Sequence, residues 1–388
     1  MPERNVDAMM TAAIEAAGSD DFGSNDFVEG LTVLCASADA EAGLHELGYF
    51  ALQQNVIGAL TNRLKITDWH RRHPDVARER IDAPLIVVGM FRAGTTFLSQ
   101  LLDRDPGNRA LLRWEASDGV PPPSPETFRA GPRVDAANAA IDMLESLNPR
   151  MKIVHHEDAE GPTECITLLG QDFKSLTWEA IANVPTYGEW LRQADYRSAY
   201  RYHRSALQVL QSGGVRGQWT LKSPNHALAL DALTAEYPDA HLLLLHRDPA
   251  VLCASACSLI STLTGTFSDG DHAAYIAEHW TRMLAESVDR IEAFRSAHPE
   301  HQIIDVHYAD LVQDPVRAIE AIYARCGMDL DSPARDGIAA FVAANPKGRF
   351  GTHGYRLADF GLAADALREQ FAAYVERYAI PVEVGADG

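Results

Sequence analysis

Positive charge is scarce in this chain. Lys and Arg number 34 against 54 Asp and Glu over 388 residues, a formal net charge of −20. So acidic a surface repels phosphate backbones and anionic headgroups, which excludes a general nucleic-acid or anionic-membrane partner. Any anionic ligand must be held by a local cluster of cations and N–H groups. Long apolar runs are missing too. Nothing approaches the roughly 20 residues of a membrane-spanning helix, and the opening "MPERNVDAMMTAAIEAAG" lacks the apolar centre of a secretion signal. Cysteine is sparse: Cys35, Cys165, Cys253, Cys257 and Cys326 make neither a disulfide framework nor a CxxC metal site. Cys253 and Cys257, one helical turn apart, read as a buried helix face. These absences predict a reduced, cytoplasmic protein without a metal centre.

What the chain does contain is a change of pattern near residue 84. Residues 1–80 carry apolar residues three and four apart with no strand alternation, which predicts a helical N-terminal region packed on the core. From Pro84 short apolar strands alternate with helices. "PLIVVG" precedes a helix near Gly94, and "QWTLK" (218–222) one from about Asn225 to Tyr237. "HLLLLHRDP" (241–249) precedes a helix carrying Ser255, and "HQIIDVHY" (301–308) one from about Asp314 to Cys326. Continuous apolar strands between helices predict an α/β domain over 81–388, a parallel sheet covered on both faces with its ligand at the carboxyl ends of the strands. The stretch 103–217 is less regular. The turn-rich "GVPPPSP" (119–125) is followed by helical segments near 134–147, 161–182 and 196–212, a cap inserted at about 115–215.

Four stretches carry chemistry. "IVVGMFRAGTTFLSQLL" (86–102) has the strand–glycine loop–helix layout of a phosphate-binding loop, in which backbone N–H groups and a helix N-terminus face the anion. A nucleoside-triphosphatase would place Lys and Ser/Thr after the second glycine. Here Thr95 and Thr96 follow Gly94, and the cation is Arg92, two residues before it. A guanidinium and two hydroxyls suit a terminal phosphate or sulfate without a metal; Gly94 alone would only allow close packing. In "LLLLHRDPAVLCASACSL", Arg247 ends a strand, Pro249 opens a helix and Ser255 lies eight residues after Arg247. Two cationic strand ends in one sheet suit a nucleoside with phosphates at both ends. "NPKGRFGTHGYRLADFGL" (345–362) crowds Lys347, Arg349 and Arg356 onto a glycine-bearing loop, either a solvated turn or a basic flap over the ligand. In "TLKSPNHALAL", Lys222 closes a strand and His226 follows at a helix start, both expected on the same rim.

Together these stretches resemble the sulfotransferases that use 3′-phosphoadenosine-5′-phosphosulfate (PAPS), over about residues 20–365. "FRAGTTF" is similar to the family's 5′-phosphosulfate loop, PKSGTTW or PRSGTT, which implies donor binding by Arg92, Ala93, Gly94, Thr95 and Thr96, with Phe97 in the place of an adenine-packing aromatic. "RDPAVLCAS" resembles the 3′-phosphate motif through Arg247 and Ser255, and "PKGRFG" the late loop that closes on that phosphate through Lys347, Gly348 and Arg349. The "WE" at 114–115, the "PPP" and "HGYRLADFGL" look most like a bacterial branch nearer to tyrosylprotein sulfotransferases than to cytosolic aryl and steroid enzymes. The resemblance implies a P-loop-type fold and transfer of a sulfuryl group from PAPS, leaving adenosine 3′,5′-bisphosphate and using no metal. It also accounts for the missing lysine, since a phosphosulfate leaves less charge to neutralise than a triphosphate does. The competing class, a P-loop nucleotide or small-molecule kinase, requires the absent GK[ST]; a nucleotide-binding scaffold without activity is a third.

In-line attack on sulfur needs a base on the acceptor and cationic donors on the phosphosulfate oxygens. Lys222 and Arg92 suit the donors. By resemblance to the tyrosylprotein enzymes the base is Glu115; by resemblance to the cytosolic enzymes it is His226, although Ser-Pro-Asn intervenes where they have K-T-H. His155 and His156 are weaker candidates. The acceptor, attacking through a hydroxyl or an amine, is left open among small molecules, lipids and glycans, with no nucleic-acid partner and no transmembrane segment. Thermal stability should rise with adenosine 3′,5′-bisphosphate in excess EDTA; a rise with ATP and magnesium alone would favour the kinase.

Overall fold

The computed structural model describes residues 5–154, 157–346, 354 and 356–383. Five strands form one sheet: β1 (Leu85–Val87), β2 (Asn108–Ala110), β3 (Gln218–Lys222), β4 (His241–His246) and β5 (Ile303–His307). Their order is β2-β3-β1-β4-β5, and every pairing is parallel. The leucines of β4 are buried on both sides because helices cover both faces, which is why that strand reads as an unbroken apolar run. β1 is central, and Val87 lies in register with Lys222 of β3 and Leu243 of β4. With strands about 4.8 Å apart, the loops leaving β1, β3 and β4 must abut at one edge.

The N-terminal region is helical, as its periodicity predicts: α1 (Val6–Ala17), α2 (Val28–Glu41) and α3 (Glu46–Arg72). Asn5 caps α1 through the Ala8 N–H and Gly18 ends it in a left-handed conformation. Leu31, Leu60 and Leu64 share one hydrophobic cluster with Ile86, Leu221 and Leu242 of the sheet. Arg63 of α3 is buried, donating to Asp172 of the cap at 2.9 Å and to the Phe22 carbonyl at 3.0 Å. Four further helices matter for the site: α4 (Thr95–Leu102), α5 (Arg113–Ser117), α6 (Pro132–Leu147) and α7 (Met151–Val154).

Three elements depart from the sequence reading. The segment 161–182 is two single-turn helices, Ile166–Gly170 and Thr177–Ile181, rather than one. Phe173 between them takes φ 53°, which no helix permits, and its ring stacks on Trp178 at 5.2 Å. The segment 225–237 is likewise divided, into a 3-10 turn Pro224–Leu228 and a helix Leu230–Glu236, with non-helical Ala229 between. Strand β2 carries no β-branched residue, and its strand form comes from pairing with β3.

The Arg197–Ser212 helix packs a buried polar cluster against the Pro224–Leu228 turn. His226 Nδ1 lies 2.8 Å from the Tyr200 hydroxyl and His203 Nδ1 2.7 Å from that of Tyr237. Neither Nε2 has a partner among the described residues. Burial pushes His203 down to about 3, and burial followed by the neighbouring His203 pushes His226 well below its usual value. Both stay neutral in the fold, so below about pH 6.5 the unfolded chain binds protons that the folded chain refuses. Their stabilisation is complete above pH 6.5 and falls on acidification by up to about 1.4 kcal/mol per pH unit for each histidine. Urea midpoints at pH 7.5 and pH 5 should show this loss, and His203→Gln should reduce its slope; an unchanged slope would contradict the neutral cluster.

Candidate active site

The loop from β1 to α4 forms the centre of the rim. Gly94 has φ 97°, and a Cβ there would lie 2.5 Å from Tyr308 Cδ2, so only glycine fits both the backbone and the space. Arg92 takes φ 65°, an uncommon conformation for a non-glycine residue, which directs its side chain across the rim. No side chain caps α4, so its first-turn N–H groups are available to an anion. Ala93 is buried, and Phe97 is half-buried against the apolar cluster under the loop.

Sequence spacing assigns Arg92 to one phosphate and Arg247 with Ser255 to another. The fold joins them. Arg92 Nε donates to Ser255 Oγ at 2.9 Å, and Arg247 Nη1 donates to the Arg92 carbonyl at 3.1 Å. Parallel pairing of β1 with β4 brings the two strand ends together, and Asp248 caps the Pro249–Thr264 helix that presents Ser255. The Arg247 guanidinium lies over the Tyr308 ring, 4.0 Å from its centroid, a cation–π contact. Arg92 Nη2 also donates to the Val154 carbonyl at 3.3 Å, tying the loop to α7.

On the other side of β1, the buried Lys222 reaches the β1–α4 loop. Its Nζ lies 3.2 Å from Thr96 Oγ1 and 2.9 Å from Glu164 Oε1. Glu164 is placed by its neighbour, because the Cys165 N–H donates to the Lys222 carbonyl at 2.8 Å and so continues the edge of the rim. Its carboxylate is 17% exposed. Sequence reasoning missed Glu164. It stands in "EGPTECITLLG" without periodicity or motif spacing, and only the fold brings it to Lys222.

The two expected bases are both buried. Glu115 is fully buried on α5, where both its oxygens take N–H groups from Arg109, at 2.6 and 3.1 Å, and Oε2 also takes the Leu112 N–H at 2.9 Å. Arg109 in turn is stacked 3.9 Å from the Trp219 ring. That carboxylate is the closed half of an internal ion pair and does not face the rim. His226 is also fully buried; the turn after Lys222 carries it inward to Tyr200, away from the strand ends. Lys347, Gly348, Arg349, His155 and His156 lie outside the described residues. Among the described residues, no cluster of three or more His, Cys, Asp or Glu side chains suits a metal ion.

In this α/β protein three cations, three hydroxyls and a helix N-terminus gather at the carboxyl ends of a parallel sheet, a set of donors that suits an anionic group. The model of a family described as "Sulfotransferase family" matches residues 84–332, and the chain belongs to that family. Sulfotransferase STF9 from Mycobacterium avium is 31% identical with a TM-score of 0.89, covering 98% of both chains. STF1 from Mycobacterium tuberculosis is 34% identical with a TM-score of 0.85, covering 96% of this chain and 99% of its own. The omega-hydroxy-beta-dihydromenaquinone-9 sulfotransferase Stf3 of Mycobacterium bovis is 23% identical over 265 residues, 64% of this chain. The match spans 63% of the length of that relative. The absent GK[ST] and the family membership set the kinase alternative aside.

The Arg109–Glu115 pair carries a stability consequence. Glu115→Ala leaves a buried guanidinium without its carboxylate and should lower stability by roughly 3–5 kcal/mol in urea denaturation. A stable Glu115→Ala variant with turnover lowered about 100-fold would return the base role to Glu115.

Proposed function

We propose that this protein transfers the sulfuryl group of PAPS to the hydroxyl of an acceptor with an apolar body, with Glu164 as the base. The observation that carries this reading is the position of Lys222 Nζ, between Thr96 Oγ1 of the donor loop and the Glu164 carboxylate. Donor and acceptor chemistry meet at that ammonium.

When bound, PAPS supplies an activated sulfuryl group whose leaving group is the 5′-phosphate of adenosine 3′,5′-bisphosphate. The residues present fit it. Arg92, Thr95, Thr96 and the N-terminus of α4 suit the phosphosulfate, and Arg247 with Ser255 the 3′-phosphate, through charge-assisted hydrogen bonds. Lys222 offsets charge that builds on the leaving oxygen as the S–O bond breaks. Glu164 accepts the proton of the acceptor hydroxyl as the new O–S bond forms. An ammonium shared with an anionic donor attracts Glu164 less, so donor binding frees the carboxylate for the acceptor.

Two observations favour an apolar acceptor. Stf3 is named for omega-hydroxy-beta-dihydromenaquinone-9, a name that itself contains a hydroxyl group. In this chain, Met143 and Leu147 of α6 and Ile153 of α7 are exposed, Met143 to 64%, and α7 ends at Val154 beside Arg92. An acceptor tail would cover that apolar surface.

Glu164→Gln should keep affinity for adenosine 3′,5′-bisphosphate within a few-fold while turnover falls about 100-fold or more, as for loss of a positioned base. Labelled-sulfate transfer read by mass spectrometry over long-chain alcohols, phenols and sugars should favour the long-chain alcohols. Wild-type turnover in Glu164→Gln would remove Glu164 from the reaction, and transfer only to sugars would remove the apolar acceptor.

A further inference from the structure

Arg247 has a negatively charged partner supplied by the far end of the chain. Glu383 presents its carboxylate edge-on to the guanidinium, with Arg247 Nε donating to Oε1 at 2.8 Å and Nη2 to Oε2 at 2.9 Å. This paired Nε/Nη2 edge is the one a guanidinium offers to a phosphate in the same two-point geometry. Glu383 is fixed by more than its side chain. Its N–H donates to Asp248 Oδ2 at 3.0 Å, the oxygen that also takes Arg368 Nη2 at 3.0 Å. Behind it the chain is anchored by Ile380, which is buried and donates its N–H to the Val375 carbonyl at 3.0 Å. Between anchor and carboxylate, Val382 is exposed, so residues 381–383 cross the surface as a strap held at both ends. The contact is open to exchange, since the Arg247 side chain is 18% exposed and that of Glu383 30%.

We infer that residues 381–383 form an autoinhibitory strap, in which the Glu383 carboxylate occupies the phosphate-binding edge of Arg247 and must leave before a donor phosphate binds there. The inference rests on the reading of Arg247 as a phosphate ligand. A phosphate carries more charge than a carboxylate and also reaches Ser255, so it displaces the strap at sufficient concentration. Below that concentration the strap neutralises a cation and keeps the rim shut. Binding of the donor is thereby coupled to release of the strap from Arg247, while Asp248 retains its salt bridge to Arg368 and its cap on the Ala250 N–H.

Isothermal titration of the full-length protein with adenosine 3′,5′-bisphosphate separates the possibilities. Glu383→Ala and Glu383→Gln should each bind about tenfold more tightly than wild type, the gain from removing a charged competitor at one guanidinium. Glu383→Gln keeps the shape of the side chain, so tighter binding in that variant isolates the charge. Binding by wild type with equal or weaker affinity in both variants overturns the strap and leaves the donor site standing. Absence of binding in wild type and variants alike overturns the donor site, and the strap with it.

Discussion

Parallel pairing of β1 with β3 on one side and β4 on the other is the constraint on which the rest depends. It forces the exits of three strands onto one edge within about one strand spacing of each other. Arg92, Lys222 and Arg247 come from sequence positions 130 and 25 residues apart, yet each ends or follows one of those strands. The hydrogen bonds Arg92–Ser255 and Arg247–Arg92 carbonyl, and the contact of Lys222 with Thr96, are consequences of that adjacency. The cations gathered there are balanced by carboxylates, Glu164 on Lys222 and Glu383 on Arg247, and by the Tyr308 ring under Arg247.

Two glutamate–cation pairs in the same half of the molecule show how burial separates structure from chemistry. Glu115 meets Arg109 with every oxygen occupied and no surface exposed, and the guanidinium is stacked on Trp219. Such a pair is held by the cost of opening it and has no route to a ligand. Glu164 meets Lys222 through one oxygen at the rim, keeping a partly exposed carboxylate beside the donor loop. The cations also differ: the Arg109 guanidinium grips both oxygens of Glu115, whereas the Lys222 ammonium meets one oxygen of Glu164. The number of partners and access to the rim decide which carboxylate a ligand could reach.

The helices outside the sheet divide their work in the same way. Arg63 of α3 reaches Asp172, and Lys174 reaches the other oxygen of that aspartate, so the N-terminal helices and the cap are locked by a buried charge network. α6 is different: of its 16 residues only Val134 is buried. It packs against α5 and α7 with Met143 and Leu147 facing solvent, while the interior of the cap holds its aromatics in a closed core. The Tyr187, Tyr196 and Tyr200 rings are part of that core rather than an acceptor wall, and burial keeps all three hydroxyls protonated by raising them above their usual range.

Periodicity and motif spacing in the chain alone determined the helical N-terminal region, four of the five strands and the parallel α/β class, and they singled out Arg92, Thr95, Thr96, Lys222, Arg247 and Ser255 as candidate anion ligands. These are local signals: an apolar run between helices, a glycine where φ is positive, a cation at a strand end. Tertiary structure alone decided the rest. Strand β2 exists through pairing with β3, and the breaks at Phe173 and Ala229 answer packing that no single-segment pattern contains. Whether a carboxylate or an imidazole is a base or a buried strut depends on its partners, and for Glu115, Glu164, His226 and Glu383 those partners come from other elements of the fold. Side-chain direction at a turn, and the burial that follows from it, is a property of the folded chain, which is why neither the Glu164–Lys222 contact nor the burial of Glu115 against Arg109 shows in the sequence.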